Sequence, residues 1–157
     1  MNDHSHAKHG DGQYGRLLMM MAFSFLAMYA LIYAMVDSWG NVYHNVNQFY
    51  MAGLMAAPML LIELVLMTKM YPSRRWNIIL GLGAVAFMAL CWFGIRGQAA
   101  VDDGQFVRSM IPHHAGAILM CEQNRLVDPE LQRLCQDIVS SQRVEIAQMK
   151  AILENNH

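Results

Sequence analysis

Three long apolar runs, separated by short polar stretches, dominate the chain up to Ile95. Leu17 to Val36 and Trp76 to Ile95 contain no charged residue, and Phe49 to Met67 contains one, Glu63. Each run reaches or nearly reaches the roughly 20 residues that a helix needs to cross a hydrocarbon core. Three such runs in succession predict three membrane-spanning helices. A secretory signal peptide is the competing reading of the first run, but the run is long for one and no small-residue cleavage site follows it.

After Ile95 the pattern changes to helical periodicity. Asp102 or Asp103 can cap a helix running towards Leu126. Asp128-Pro129-Glu130 then supplies an N-cap, a first-turn proline and a first-turn acid for a second helix. On the second helix Leu131, Leu134, Cys135, Ile138, Gln142, Glu145, Met149 and Ile152 recur at three- and four-residue spacing, predicting one stripe. On the first, Phe106, Met110, His113, His114, Ala117 and Cys121 group together. Pro112 lies inside that helix and should bend it, because it removes a backbone donor and crowds the preceding turn. The expected architecture is all-α: a polar tail (1–15), a three-span membrane unit (16–96) and a helical hairpin (97–157).

Composition sharpens this picture. The chain is 55% hydrophobic and 15% charged, with a net charge of −1. That balance leaves no basic footprint for nucleic acid. Lys8, Arg16, Lys69, Arg74 and Arg75 flank the spans on one side, while the Asp37–Gln48 loop has neither Lys nor Arg. Positive charge stays in the cytoplasm, so the tail is expected inside and the hairpin outside. Trp39, Tyr43, Tyr71 and Trp76 fall near the expected interfaces, where amphipathic rings are favoured.

The chemistry concentrates in the hairpin. In an antiparallel pair joined near Val127–Asp128, Cys121 lies opposite Cys135, and His113 and His114 lie level with Gln142 and Glu145. Met110 and Met149 occupy the next layers. Burying so many polar groups is costly unless something pairs them. A bound metal would do so through Met110, His113, His114, Glu145 and Met149; a hydrogen-bonded structural cluster is the alternative. Imidazole with thioether suits copper, as Cu(I) or Cu(II), ahead of zinc. A di-iron carboxylate bundle would need Glu-x-x-His pairs, which do not occur here. Haem within the membrane would need histidines in the spans, and there are none.

The segments "FVRSMIPHHAGAILM" and "DPELQRLCQDIVSSQRVEIAQMK" resemble the bacterial ferritin-like family catalogued as domain of unknown function 305. Its hallmark is Met-x-x-His-His followed by Gln-x-x-Glu-Ile-x-x-Met, matched here by Met110, His113, His114, Gln142, Glu145, Ile146 and Met149. The resemblance covers about the last third of the chain. It implies a ferritin-like helical fold, an association with copper handling, and membrane-anchored members that carry the cysteines found here as Cys121 and Cys135. The family domain commonly has more than two helices, which implies that two hairpins pair, as a homodimer, into a four-helix bundle.

Several features admit two readings. Cys121 and Cys135 can form a disulfide in an oxidising compartment or, when reduced, act as soft ligands. Cys91 within the third span reads as a small apolar residue. Met21, Met28 and Met35, with Met51, Met55 and Met59, form either a thioether ladder or flexible packing. Glu63 either faces a partner inside the bundle or is hydrated near the span's end. His4, His6 and His9 sit in a tail expected to be solvated. The preferred function is non-enzymatic: capture or buffering of copper by a membrane-anchored protein. The alternative is a structural or interaction module without metal. An enzyme comes third, since no nucleophile–base arrangement is visible.

Overall fold

The computed structural model describes the backbone of residues 4–155 and the side chains of residues 12–155. Five helices follow one another: α1 (His4–Leu31), α2 (Val46–Leu66), α3 (Arg74–Gly97), α4 (Asp103–Gln123) and α5 (Pro129–Asn155), with short 3-10 turns at Ile32–Met35 and Trp39–Asn41. No strand occurs among the described residues. The polar tail is not irregular: α1 begins at His4, so the helix of the first apolar run extends through it. The side chains of His4, His6 and His9 lie outside the described residues.

The chain forms two compact units, one of residues up to Leu31 with Phe49–Ala99, the other of Ile32–Gln48 with Ala100 onward. In the first unit, three helical segments are long and apolar enough to cross a membrane: Gly12–Met35, Val46–Leu66 and Arg74–Gly97. Their outward side chains are apolar too, with Phe23, Leu66 and Phe93 at least 69% exposed. Such a surface suits lipid rather than water. Inside, Tyr14, Leu17, Leu60, Leu64, Tyr71 and Ala84 form a shared core. Gly53 is required by the packing of α2 on α3, since a Cβ there would lie 2.6 Å from the Cys91 Sγ.

A polar network closes one end of this unit. The Tyr14 hydroxyl donates to the Asn77 Oδ1 at 2.7 Å and accepts from the Ser73 backbone N–H at 3.1 Å. The Asn77 side-chain amide donates to the Tyr71 carbonyl. The Tyr71 hydroxyl, in turn, donates to the Glu63 Oε1 at 3.2 Å. Glu63 therefore has a partner, supplied by the loop after its own helix. Burial first, and the Glu63 carboxylate second, push the Tyr71 phenol above its ordinary value of 10.0, so it remains a donor at neutral pH.

The second unit is the hairpin of α4 and α5 together with the segment linking α1 to α2. The Asp102 carboxylate caps α4 by accepting from the Gln105 N–H at 2.7 Å, and Asp128 caps α5 by accepting from the Glu130 N–H at 2.8 Å. Both caps satisfy donors that a helix start leaves orphaned. Pro112 sits buried within α4, which continues unbroken to Gln123. Proline has no N–H to give the carbonyl four residues earlier, that of Arg108. Asn45, from the linking segment and 5% exposed, donates its side-chain amide to this carbonyl at 3.3 Å and to the Tyr43 carbonyl at 3.0 Å. The same side chain's oxygen accepts from the Gln48 N–H at 2.9 Å, at the start of α2.

Asn45→Ala strands the Arg108 carbonyl and uncaps α2 together. Unfolding free energy should fall by about 1–3 kcal/mol, read as a lower thermal midpoint of the purified protein. An unchanged midpoint would mean that water satisfies the carbonyl as well as Asn45 does.

Candidate metal-binding site

The hairpin is held by one seam with a seven-residue repeat. Val107, Ile111, His114, Ile118 and Cys121 alternate by four and three residues along α4. Cys135, Val139, Gln142, Ile146, Met149 and Leu153 do the same along α5. This is the spacing that keeps one narrow stripe of each helix facing the other. Ile111 and Ala115 are fully buried, Ile118 is 1% exposed, and Ile146 completes the cluster with Val139, Met149 and Leu153 against it.

The α5 stripe expected from periodicity is thus rotated by one residue. Leu131, Leu134 and Ile152, expected inside, are 47%, 53% and 41% exposed, while Val139, Ile146 and Leu153 take the inner positions. Two stripes with the same repeat lie side by side on α5, and spacing alone does not say which one α4 covers.

At the far end of the seam Cys121 and Cys135 are joined in a disulfide, with their Cα atoms 5.3 Å apart. The bridge fixes the register, and the layers then follow in order along the two helices. Beside it, Arg143 pairs with Glu122 across the hairpin.

His114 is the centre of the polar layer. It is 8% exposed and is held at both ring nitrogens. Nδ1–H donates to the Met110 carbonyl, one turn earlier, at 2.9 Å. Nε2 lies 2.6 Å from the Glu145 Oε2 on α5. This short approach is a hydrogen bond that ties the imidazole of α4 to the carboxylate of α5. Glu145 reaches in from the edge of the seam, its side chain still 49% exposed.

His113 stands elsewhere. Adjacent helical residues point about 100° apart, so a narrow seam accepts only one of the two imidazoles. His113 is exposed, its ring centroid 6.1 Å from that of His114. Met110 and Met149 are half-buried. Of the five residues read as ligands, the fold therefore joins His114 and Glu145 directly, keeps His113 beside His114, and leaves Met110 and Met149 partly covered. Among the described residues no group of three or more His, Cys, Asp or Glu side chains could hold an ion. An ion held within one hairpin would take His114 and Glu145 as its nitrogen and oxygen donors and needs thioethers, or a second copy, for the rest.

Imidazole nitrogen beside carboxylate oxygen would suit a borderline ion, and added thioethers a softer one. A carbonyl-anchored Nδ1–H is the arrangement that fixes the tautomer of a metal-binding histidine and presents Nε2 to the ion. Here Nε2 and a carboxylate oxygen converge on one point. Elsewhere, Met51 and Met55 are exposed on the outside of α2, as packing or lipid-facing residues would be, and Cys91 is buried beneath Gly53. Asn45 was not legible as a participant, because its importance depends on a carbonyl freed by a proline sixty-odd residues away.

Residues 95–155 match the family described as "Domain of unknown function (DUF305)". The chain is also 33% identical over 141 residues to "Uncharacterized protein L153" of Acanthamoeba polyphaga mimivirus, covering 88% of this chain and 91% of the viral one. That likeness is longer than the hairpin and so takes in apolar helices as well. No solved structure matches the chain.

The disulfide has a direct consequence. Cys121 and Cys135 should resist alkylation until a dithiol reductant is added, and Cys135→Ser should cost about 2–4 kcal/mol of stability through the larger freedom of the unfolded chain. Protection from alkylation that depends on copper and not on a reductant-sensitive bond would contradict the staple.

Proposed function

Because this chain belongs to the family Domain of unknown function (DUF305), whose description assigns no activity, we propose a function from the site itself: membrane-anchored, non-catalytic capture or buffering of copper. The observation that carries this reading is His114, anchored through Nδ1 and directed at Glu145 through Nε2. Copper would replace that hydrogen bond and take Nε2 and the carboxylate as ligands, with Met110 and Met149 as thioether donors. His113 joins from the adjoining face. Cu(I) favours this mixture of imidazole and thioether over zinc, which prefers more nitrogen, oxygen or thiolate donors.

The three apolar helices are the anchor, and the basic residues at Lys69, Arg74 and Arg75 favour placing that loop in the cytoplasm. The hairpin would then lie in the periplasm of a bacterial inner membrane. A disulfide in the hairpin supports an oxidising compartment.

A second copy of the chain is the proposed partner. Phe106, Met110, His113, Ala117 and Met120 each precede a seam residue of α4 by one. Leu134, Ile138, Glu145 and Ile152 do the same on α5. Because the helices are antiparallel, both offsets turn to the same side of the hairpin, giving a second, outer face. Phe106 and Met120 are more than half exposed there. Its middle layer carries His113 and Glu145, one basic and one acidic group, so two such faces apposed by a two-fold axis are complementary. The product would be a ferritin-like four-helix bundle in which both polar layers share the interior.

Metal loading tests the first part. Purified protein exposed to copper, then desalted, should retain copper by elemental analysis, and His113→Ala/His114→Ala should lose it. Glu145→Gln should weaken binding roughly 10- to 100-fold, as loss of a direct or orienting carboxylate does. Equal retention by wild type and double variant would remove the metal reading and favour an interaction module whose histidine completes a polar core.

Cross-linking tests the rest. With Cys91 replaced by alanine and the disulfide intact, single cysteines at Met120 or Ile138 should be joined to their twins by a membrane-impermeant bis-maleimide in intact cells, and one at Gln136 on the opposite side should not. Cysteines reachable only after permeabilisation would reverse the topology. Reachable cysteines that never join their twins would refute the homodimer.

A further inference from the structure

A cleft of about 370 Å³ opens between the α1–α2 linking segment and the ends of the hairpin, and His114 is not among its lining residues. Tyr43, His44, Arg108, Lys150 and Glu154 line it, with Val42 and Leu153. Its walls are fixed by the bonds already described. The Tyr43 carbonyl accepts from the Tyr33 hydroxyl at 2.9 Å and from the Asn45 side chain, and Asn45 ties the same segment to Arg108's own carbonyl. The Tyr33 ring holds the His44 imidazole edge-to-face, with centroids 5.8 Å apart. A Cβ on Gly40 would lie 3.9 Å from the Lys150 Nζ, so the ammonium rests against the Trp39–Asn41 turn.

Charge in this cleft is unbalanced. Neither the His114–Glu145 nor the Arg143–Glu122 ion pair includes Arg108 or Lys150. Glu154 is the single acid on the wall, against one guanidinium, one ammonium and an imidazole. A guanidinium fork beside a point-charge ammonium suits a tetrahedral oxyanion such as phosphate.

Position selects the source of that phosphate. His44 lies two residues before Val46, where the second apolar helix begins, and two residues span at most about 7 Å. Trp39, next to Gly40, is 91% exposed. A fully exposed indole beside a span belongs at the headgroup level of a bilayer, where such rings are favoured. We propose that the His44–Arg108–Lys150 cleft binds the headgroup phosphate of an anionic phospholipid.

This inference stands independently of the metal reading. It is tested with the full chain in neutral detergent, titrated with phosphatidylglycerol, phosphatidylcholine or inorganic phosphate, with bound lipid read by native mass spectrometry. Phosphatidylglycerol should be retained in preference to phosphatidylcholine, and Arg108→Gln/Lys150→Gln should weaken its binding about tenfold or more. Arg125→Gln/Arg133→Gln, which removes the same charge near the disulfide end, should leave it unchanged. Glu154→Gln removes the opposing acid and should tighten binding, so the proposal remains testable if the double variant misfolds. Equal retention of the two lipids, equal loss in the control variant, or no tightening in Glu154→Gln would overturn the site. Full competition by millimolar inorganic phosphate would overturn the lipid as its ligand.

Discussion

A helix that turns about 100° per residue can offer only one of two neighbouring side chains to a narrow seam, and the hairpin is organised by that constraint. Val107, Ile111, His114 and Ile118 face α5; their preceding neighbours face outward. His114 is consequently buried and bonded at both nitrogens, while His113 is left on the surface beside it. The adjacent pair is therefore two different groups. One is positioned and hydrogen-bonded to a carboxylate, and the other is available to whatever covers the outer face.

The seam depends on two devices at its ends. The Cys121–Cys135 bridge fixes which residue of α5 meets which residue of α4. Towards the other end, Pro112 leaves the Arg108 carbonyl without its helical partner, and Asn45 supplies a donor. A proline that would be a liability in an isolated helix becomes the point at which the linking segment is fastened to α4. That fastening also shapes the cleft around His44, Arg108 and Lys150, so the same bond serves the fold and the proposed lipid site.

Two polar groups, one in each unit, follow one rule. Glu63 within the apolar α2 is met by Tyr71, and His114 within the seam is met by Glu145. In each case the cost of removing a polar group from water is offset by a specific partner. The first pair closes the end of a helical unit and is explained by structure alone. The second combines an imidazole held at both nitrogens with a carboxylate that is still partly exposed, and that combination makes it a candidate for chemistry.

The sequence alone determined the elements. Uncharged runs of membrane length gave the three apolar helices, and Asp102 and Asp128-Pro129 marked both hairpin starts, because capping and hydrophobic transfer act on residues close in the chain. The opposition of Cys121 and Cys135 was also legible, since antiparallel register about a short connection is simple arithmetic. Tertiary structure decided the rest. Two stripes of equal period run along α5, and only the approach of α4 selects Val139, Ile146 and Leu153 as the buried one. The same approach separates His114 from His113. Asn45 and Tyr71 gain their roles from carbonyl and carboxylate partners that the fold brings to them, and no local pattern of residues carries that information.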